Sequence, residues 1–475
     1  MVQIASFQRL TPRIALFFIA VAVKIAALTF TSFVYAIEEP ALAIPITAIW
    51  VVWFATLFMV AISPTDRLLL RQMGWLKTAA KTIIVTIIVA GLIEVSLLIT
   101  IGVFSSQIKQ SEGTIAELLT SLGRATVYSD ATALNHQATE NLLDGKNPYA
   151  EPNVISAAKE YDVPFNKLTP LRAGRFADDF PLPTMDEWEE LWLSASENPD
   201  EVPIEFESKL SYPAGAFLLP APFLLLGVND IRIVFILFAL PALALAIWWA
   251  PSGLRFYLVA ALLTSLELWN APFAGETGFL MFPFLLLAWI LFKRKWWLSA
   301  ICMAAAVAIK QIAWFFLPFY LILIFRELGI RKALSVSAII GGVFLAANLP
   351  FILTDPQLWF SSIMAPMTDN LFPIGVGTIT FVLSGALHVE SSLPFAVMEI
   401  IVAILAMIWY FRNCRRFPHT GPILAVLPLF FAWRSGWSYF YYVDIIILAA
   451  ILINEYSQKQ TPTLIPNRPP LSHGL

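Results

Sequence analysis

Apolar segments of about 20 residues recur along most of this chain, and they constrain its fold more than any other feature. Such a segment is long enough to cross the ~30 Å hydrocarbon core of a bilayer as an α-helix. Because lipid offers the backbone no hydrogen-bond partners, a spanning segment must satisfy its own N–H and C=O groups, as a helix does. We therefore predict an all-α, polytopic transmembrane helix bundle with about 10–14 passes. The clear runs lie at 14–36, 41–62, 82–104, 214–228, 233–250, 275–292, 333–350, 393–411, 421–433 and 438–455, and shorter ones lie at 256–270, 297–309, 311–325 and 375–387.

One long polar segment, residues 105–212, interrupts these runs after the third of them. It holds 19 of the 33 Asp and Glu residues but only 8 of the 30 Lys and Arg residues. Many basic residues instead gather in short loops, which the positive-inside rule places in the cytoplasm. The polar segment is therefore expected on the other side of the membrane. The basic clusters are Arg67/Arg71/Lys77/Lys81, Lys293/Arg294/Lys295, Arg326/Arg331/Lys332 and Arg412/Arg415/Arg416.

An isolated lysine, Lys310, divides the apolar stretch 296–325. Basic clusters flank both ends of this stretch, so a single pass would place them on opposite sides of the membrane. Two half-passes of about 14 residues, ~21 Å each, keep both clusters in the cytoplasm and place Lys310 near the outer interface. Residues 256–270 and 375–387 are further candidate half-helices there. Broken helices are tolerated where protein or a wet cavity covers their backbone, which predicts an outward-facing pocket.

Composition and cysteine usage exclude several classes of protein. A chain that is 59% hydrophobic with a mean hydropathy of +0.75 is not an ordinary soluble domain. Its two cysteines, Cys302 and Cys414, lie in or beside predicted helices, without the spacing of a disulfide framework or a metal site. We expect neither a metal nor another cofactor, and no nucleic-acid partner.

Within the polar segment, the sequence predicts three helices. Residues 112–122 have helical apolar spacing and could lie along the interface. Residues 131–144 form an amphipathic helix that ends at Gly145. Trp188 and Trp192, four residues apart, indicate another helix.

Several short motifs occur in a characteristic order along the chain. Asp130 precedes a short helix that ends in Gly145-x-x-Pro-Tyr149, and Tyr212-Pro213 opens the next membrane helix. Further motifs are Ala308-Ile-Lys310-Gln311 in a mid-chain hairpin, Asn348-Leu-Pro350 before a loop with Asp355-Pro356, and Tyr439-Phe-Tyr-Tyr442 at the last helix. In order and spacing they resemble the GT-C glycosyltransferases that use polyprenyl-phosphate sugars, especially the bacterial polyprenol-phosphate-mannose-dependent α-mannosyltransferase branch. The resemblance covers residues 82–455.

We expect a chain of three parts, and the resemblance implies that the second of them is a GT-C-like membrane enzyme. Residues 1–81 would form an N-terminal membrane hairpin and a basic cytoplasmic linker, residues 82–456 the catalytic membrane domain, and residues 457–475 a disordered cytoplasmic tail. The enzyme would move a sugar, expected to be mannose, from a polyprenyl-phosphate donor to an extracytoplasmic glycan or lipid acceptor by an inverting single displacement. Its partners would be these substrates and membrane lipids. It would lie in the plasma (inner) membrane with its active site facing outwards.

Transfer from a lipid-phosphate sugar needs a base for the acceptor hydroxyl and cations for the leaving phosphate. Asp130 is the candidate base, although an Asp before a helix is also a preferred N-cap. Lys310 and Arg434 are the candidates for the phosphate. Alternatively, Lys310 only extends its side chain to the lipid headgroups, and Arg434 only anchors the chain at the membrane interface. Glu276 is a candidate for a sugar hydroxyl, or it only favours a helix dipole.

The remaining candidates for substrate binding are aromatic or imidazole side chains. His136, on the helix after Asp130, is a candidate for contact with the sugar or the acceptor, and its alternative is a solvated helix surface. Tyr128 lies two residues before Asp130. Tyr149 and Trp359 are candidates for stacking on a sugar face, and interface anchoring is an equal alternative.

Two other functional classes compete with this interpretation. A transporter or flippase would favour polar groups at the bilayer midplane and inverted repeats, whereas here the polar groups collect at one face and no repeat is visible. The other class is an O-antigen ligase-like enzyme or a non-catalytic glycolipid-binding protein. A ligase-like enzyme would carry its large outer loop late in the chain, with Arg and His, whereas here the loop is early and carries an Asp. Separately, Lys24 and Glu94 lie near the middle of two apolar runs and predict an ion pair that fastens the N-terminal hairpin.

Overall fold

The computed structural model describes residues 10–36, 40–108 and 128–456, and within this part helices dominate. Seven of the described helices are long and apolar enough to cross a membrane, and a bent pair makes an eighth candidate. The predicted class, an all-α polytopic membrane protein, is confirmed. The candidate spans are Pro12–Thr31, Ala43–Ala61, Leu70–Ile93, Ile231–Trp249, Ile330–Thr354, Leu393–Asn413 and Trp437–Tyr456.

Several apolar runs form helices shorter than a full span, which is why the described long helices are fewer than the predicted passes. Four such pieces of 10–17 residues are Gly215–Leu225, Gly278–Leu291, Trp296–Ile309 and Pro418–Phe431. The α-helices run Pro12–Ala36, Ala43–Ala61, Thr65–Leu68, Met73–Ile108, Asp130–Leu143, Val154–Glu160, Met185–Glu197, Gly215–Leu218, Ala221–Leu225, Ile231–Trp249, Arg255–Thr264, Leu266–Phe273, Gly278–Leu291, Trp296–Ile309, Ile312–Leu328, Ile330–Thr354, Pro356–Thr368, Thr380–Leu383, Leu393–Asn413, Gly421–Val426 and Val443–Ala450, and two-residue strands Ile374–Gly375 and Arg434–Ser435 pair in parallel.

The helix break predicted at Lys310 is confirmed. Helix Trp296–Ile309 ends there, and helix Ile312–Leu328 begins two residues later. The Lys310 ammonium lies 2.7 Å from Thr277 Oγ1, at the start of the preceding helix. At the other end of the same helices, Lys293 forms an ion pair with Glu327 at 3.1 Å. Lys310 and the basic loops therefore lie at opposite ends of the helices, and we call the Lys310 end the pocket end.

The other two candidate half-helices have different structures. Helices Arg255–Thr264 and Leu266–Phe273 meet at an angle of 53°, so this stretch is a broken span or a re-entrant loop. The stretch 375–387 contains only a turn of 3₁₀-helix and the short helix Thr380–Leu383.

The described part of the polar segment, residues 128–212, is folded against the pocket end. Helix Asp130–Leu143 ends before Gly145, whose φ of 76° suits a glycine. Helix Met185–Glu197 begins with a capping box between Thr184 and Glu187. Both helices were predicted. The helix predicted at 112–122 and the tail at 457–475 lie outside the described residues.

Lys24, on the first helix, has different partners from the one predicted. Its ammonium pairs with the Glu267 carboxylate, lies 2.5 Å from Asp444 Oδ2, and donates to the Tyr441 carbonyl oxygen at 3.0 Å. The predicted partner, Glu94, has a side chain that lies outside the described part, so the structure does not test that pair. The expected depth of each residue in the membrane does not reveal which helices are neighbours, so the packing of the last helix against the first could not be predicted.

Candidate active site

A pocket of about 140 Å³ lies at the pocket end. Three parts of the chain form it: the polar segment, the end of helix Pro356–Thr368 with the loop that follows, and the chain around Arg434. Polar and charged groups occupy much of its surface. The lining residues are Asp130, Ala131, Leu134, Thr169, Glu207, Lys209, Leu210, Ser211, Tyr212, Ala365, Pro366, Leu371, Arg434 and Tyr439.

Asp130, the predicted base, lines this pocket at the first turn of helix Asp130–Leu143. The helix is capped by Ser129, whose side chain accepts from the Thr132 amide, so the alternative role of Asp130 as the N-cap is wrong. Asp130 Oδ2 accepts a hydrogen bond from the Thr169 hydroxyl at 2.6 Å, and Oδ1 accepts from the amide of Ala131 at 2.6 Å. The carboxylate is held in place with one edge on the pocket.

The electrostatic environment of Asp130 suits a proton acceptor. Burial raises the pKa of Asp130 above its ordinary value, while the Thr169 hydroxyl and the Arg434 charge act in the opposite direction. A carboxylate with a raised pKa is a stronger base, provided that it stays ionised at the working pH.

A close backbone contact fixes the start of this helix. The Ser129 hydroxyl donates to the Gly275 carbonyl oxygen at 2.8 Å, and the Thr132 hydroxyl donates to the same oxygen. Gly275 has a φ of 70°, and a Cβ there would lie 2.5 Å from the Ser129 nitrogen. Only glycine fits this position, which brings Glu276 close to the start of the Asp130 helix.

Lys310 lies directly behind Tyr212, one of the pocket residues. Its ammonium is 5.3 Å from the centre of the Tyr212 ring, and only 9% of the residue is exposed. Burial lowers the pKa of Lys310, while the charges of Glu276 and Asp130 favour its ionised form. The structure thus places Lys310 beside the pocket and within the electrostatic field of the carboxylates.

Glu276 lies between Lys310 and the last membrane segment. Burial raises the pKa of Glu276, and the charge of Lys310 is the largest effect in the opposite direction. A hydrogen bond with Ser438 also favours its ionised form. Glu276 is absent from the pocket lining. Its charge acts on Tyr439, which does line the pocket.

Arg434, from the C-terminal part of the sequence, also lines the pocket. It pairs with Ile374 in the short parallel sheet, and its charge lowers the pKa of Asp130 against the effect of burial. Gly375 allows this pairing, because a Cβ there would lie 2.0 Å from the Ser435 carbonyl oxygen. Arg434 and Asp130 are thus brought to one pocket although 304 positions separate them.

Tyr149 and Trp359 do not reach the pocket. The Tyr149 hydroxyl donates to the Tyr212 carbonyl oxygen at 2.9 Å. The Trp359 indole donates to Asn348 Oδ1 at 3.3 Å, and the same oxygen accepts from the Ala214 amide at 3.0 Å. Both aromatic residues therefore support the backbone around Tyr212.

His136 and Tyr128 lie in a separate buried cluster. The His136 ring stacks on Tyr161 at 4.4 Å, and His136 Nδ1 lies 3.3 Å from the Tyr128 hydroxyl. That hydroxyl donates to Asp230 Oδ1 at 2.9 Å, and the Arg232 guanidinium lies over the Tyr128 ring. His136 is only 2% exposed, so the alternative of a solvated helix surface is wrong. Neither residue lines the pocket.

Four polar pocket residues within 150–211 were not predicted from the sequence: Thr169, Glu207, Lys209 and Ser211. Thr169 and Glu207 lie closest to the chemistry discussed here. The Glu207 amide donates to the Thr169 carbonyl oxygen at 2.9 Å, so the two residues adjoin. Burial and a shared hydrogen bond with Asp369 raise the pKa of Glu207 to about 7. This part of the chain has no periodic pattern or motif that would have identified either residue. Tyr439, which also lines the pocket, belongs to the motif Tyr439-Phe-Tyr-Tyr442, for which the sequence predicted no role.

One comparison with known proteins bears on this pocket. The family model of glycosyltransferase family 87 matches residues 210–431, just under half of the chain. This match indicates a membrane glycosyltransferase. The matched region includes Tyr212, Glu276 and Lys310, while Asp130 and Arg434 lie on either side of it. No curated protein and no solved structure matches significantly. A glycosyltransferase uses a sugar donor and an acceptor, and the pocket is the candidate place for both.

Proposed function

We propose that this multi-pass glycosyltransferase moves mannose from a polyprenyl-phosphate donor to an extracytoplasmic glycan or lipid acceptor. The observation that carries the proposal is that Asp130 and Arg434 line one pocket and that the Arg434 charge acts on the Asp130 carboxylate. Lys310 lies against Tyr212, which lines the same pocket. A carboxylate beside cations is the pairing that transfer from a sugar phosphate requires. Mannose, and the lipid nature of the phosphate, are supported only by the motifs that resemble the mannosyltransferase branch.

In the proposed reaction Asp130 accepts the proton of an acceptor hydroxyl as its oxygen attacks the anomeric carbon. The new bond joins that carbon to the acceptor oxygen, and the bond from the carbon to the phosphate oxygen breaks. The leaving phosphate keeps the electron pair, and the charges of Arg434 and Lys310 stabilise it. With one carboxylate acting as the base, this is a single displacement that inverts the anomeric centre.

The neighbouring residues fit supporting roles in this reaction. Thr169 orients the Asp130 carboxylate through its hydroxyl. We propose that Glu276, held between Lys310 and Ser438, sets the position of the Lys310 ammonium and contacts a sugar hydroxyl only if the pocket opens towards it. Tyr149, Tyr128 and His136 would act through the backbone they support, because each is buried away from the pocket.

The proposed orientation places the pocket outside the cytoplasm of a plasma (inner) membrane. The basic residues of the short loops lie at the end away from the pocket, where Lys293 pairs with Glu327 and Arg415 donates to the Arg326 carbonyl oxygen at 2.8 Å. By the positive-inside rule that end is cytoplasmic. The donor lipid would then enter from the outer leaflet.

The test is transfer of labelled mannose from synthetic polyprenyl-phosphate mannose by the purified protein and by Asp130→Asn. Asparagine can still accept the Thr169 hydrogen bond but cannot take the proton, so we expect transfer to fall by about 10²–10⁴-fold. Asp200→Asn, which changes an exposed Asp of the same segment, is the matched control and should keep full transfer. Equal transfer by wild type and Asp130→Asn would refute the assignment of the base. Binding of the donor without transfer would point to another sugar or acceptor, and absence of binding would favour a transporter.

A further inference from the structure

The N-terminal hairpin, helices Pro12–Ala36 and Ala43–Ala61, packs behind one wall of the pocket. We call residues 434–444 the wall segment, since it begins with Arg434, includes Tyr439 and leads into the last membrane helix. The hairpin lies outside the region that matches the glycosyltransferase family, residues 210–431. Its contacts with the wall segment are of three kinds.

The first contact is ionic and lies in the buried interior. Lys24, on the first helix of the hairpin, is 0% exposed, as is Asp444 at the end of the wall segment. The Lys24 ammonium lies 2.5 Å from Asp444 Oδ2 and 3.0 Å from the Tyr441 carbonyl oxygen. It therefore holds the wall segment at two points, the Tyr441 carbonyl oxygen two residues after Tyr439 and the Asp444 carboxylate five residues after it.

The second contact is aromatic. The rings of Trp50, Trp53 and Phe54, on the second helix of the hairpin, surround the ring of Phe440 at centroid distances of 5.7, 6.3 and 5.6 Å. Phe440 directly follows Tyr439 and is 0% exposed. A ring packed on several sides cannot shift without moving its neighbours, so this cluster fixes the middle of the wall segment.

The third contact acts through the strand that pairs with Arg434. Thr47, on the second helix of the hairpin, hydrogen-bonds to the Thr380 hydroxyl at 2.8 Å and to the Gly377 carbonyl oxygen at 3.3 Å. Two residues before Gly377, the strand Ile374–Gly375 pairs with Arg434–Ser435. The hairpin thus supports the Arg434 end of the wall segment as well.

From these contacts we infer that the hairpin is a positioning unit of the catalytic site, with Lys24 as its principal positioning residue. The inference rests on the proposed function, because it assigns to the hairpin the placement of Arg434 and Tyr439 against the sugar-phosphate donor. A small displacement of a substrate-binding group reduces binding and transfer strongly, so the hairpin should affect the donor step while touching no substrate. A plain membrane anchor would affect only stability.

The chain offers a matched pair of variants for the test. Asp444→Asn weakens the contact of Lys24 with the wall segment and leaves Lys24 its bonds to Glu267 and Tyr441. Glu455→Gln weakens a second ion pair between the first helix and the last span, in which Arg13 lies 3.0 Å from Glu455 at the far end from the pocket. Both variants weaken the contact between the first helix and the last membrane span, but only Asp444→Asn weakens it near Tyr439.

We expect Asp444→Asn to raise the KM for polyprenyl-phosphate mannose by about tenfold with a smaller change in kcat, while Glu455→Gln leaves the donor KM within twofold. Hydrogen exchange measured by mass spectrometry should show faster exchange of the amides of 434–444 in Asp444→Asn alone. Thr47→Val, a milder change, should raise the donor KM in the same direction. If both ion-pair variants lower the unfolding temperature alike and neither changes the donor KM or the exchange of 434–444, the hairpin is only an anchor. The exchange readout needs no transfer, so failure of the proposed function leaves the positioning test intact.

Discussion

At the scale of single residues, the Thr169 hydroxyl is the group that most directly controls Asp130. It donates to Oδ2 at 2.6 Å and stabilises the ionised carboxylate. Thr169→Val removes the bond and should raise the pKa of Asp130 further, because burial is then less opposed. The base is then protonated over a wider range, so the acid limb of kcat against pH should move to higher pH by about one unit. Thr169→Ser keeps the hydroxyl and should keep the wild-type profile; an unchanged limb in the valine variant would contradict the role of this bond.

Glu207 provides a second, independent pH dependence. Its pKa is raised to about 7 by burial and by Asp369, while the charge of Lys209 acts in the opposite direction. A carboxyl with a raised folded pKa stabilises the fold at low pH, and this contribution is lost as pH rises through the folded pKa. The difference in unfolding temperature between Glu207→Gln and wild type should therefore change in favour of the variant as the pH rises from about 5 to about 8. The exposed Glu201→Gln is the control, and equal pH profiles for Glu207→Gln and wild type would show that Glu207 is ionised without cost.

At the scale of elements, the contact between the Asp130 helix and Gly275 determines where Asp130, the proposed base, lies. Gly275→Ala places a Cβ 2.5 Å from the Ser129 nitrogen at a φ of 70°, so the helix start must move. We expect transfer to fall by about 10²-fold while the protein stays in the membrane. Gly341→Ala, in helix Ile330–Thr354 with open space around it, should be neutral. Full activity of Gly275→Ala would mean that the helix start tolerates displacement.

Local patterns predicted the elements well, and distant contacts account for what they missed. The break at Lys310 follows from the charges on both sides of one apolar stretch, and the Asp130 helix follows from its periodicity and its terminal glycine. The roles of Thr169 and Glu207 depend on how an irregular insertion folds against Asp130 and the loop around Asp369, which no local pattern encodes. The partners of Lys24 are similarly distant in sequence, at Glu267 and Asp444.

At the scale of the whole molecule, one side of the bundle carries the pocket and the other the basic loops. The positive-inside rule then predicts that a cysteine at exposed Asp200 reacts with a membrane-impermeant maleimide in intact cells. A cysteine at exposed Arg331 should react only after permeabilisation. The native Cys302 and Cys414 are buried, so the wild type serves as the blank. The reverse pattern would place the pocket in the cytoplasm and refute the proposed orientation.

The pocket joins Asp130, from early in the chain, to Arg434, which lies close to its end. During synthesis the N-terminal hairpin and the Asp130 helix emerge long before the residues that complete the pocket, and contacts so far apart form late in folding. A partly synthesised chain can therefore hold its base in place and still lack Arg434 and Tyr439. Such a chain lacks two residues of the proposed donor site, so the pocket is completed only once the last membrane helix has been inserted. If the proposed function holds, a chain still being synthesised cannot yet use the donor.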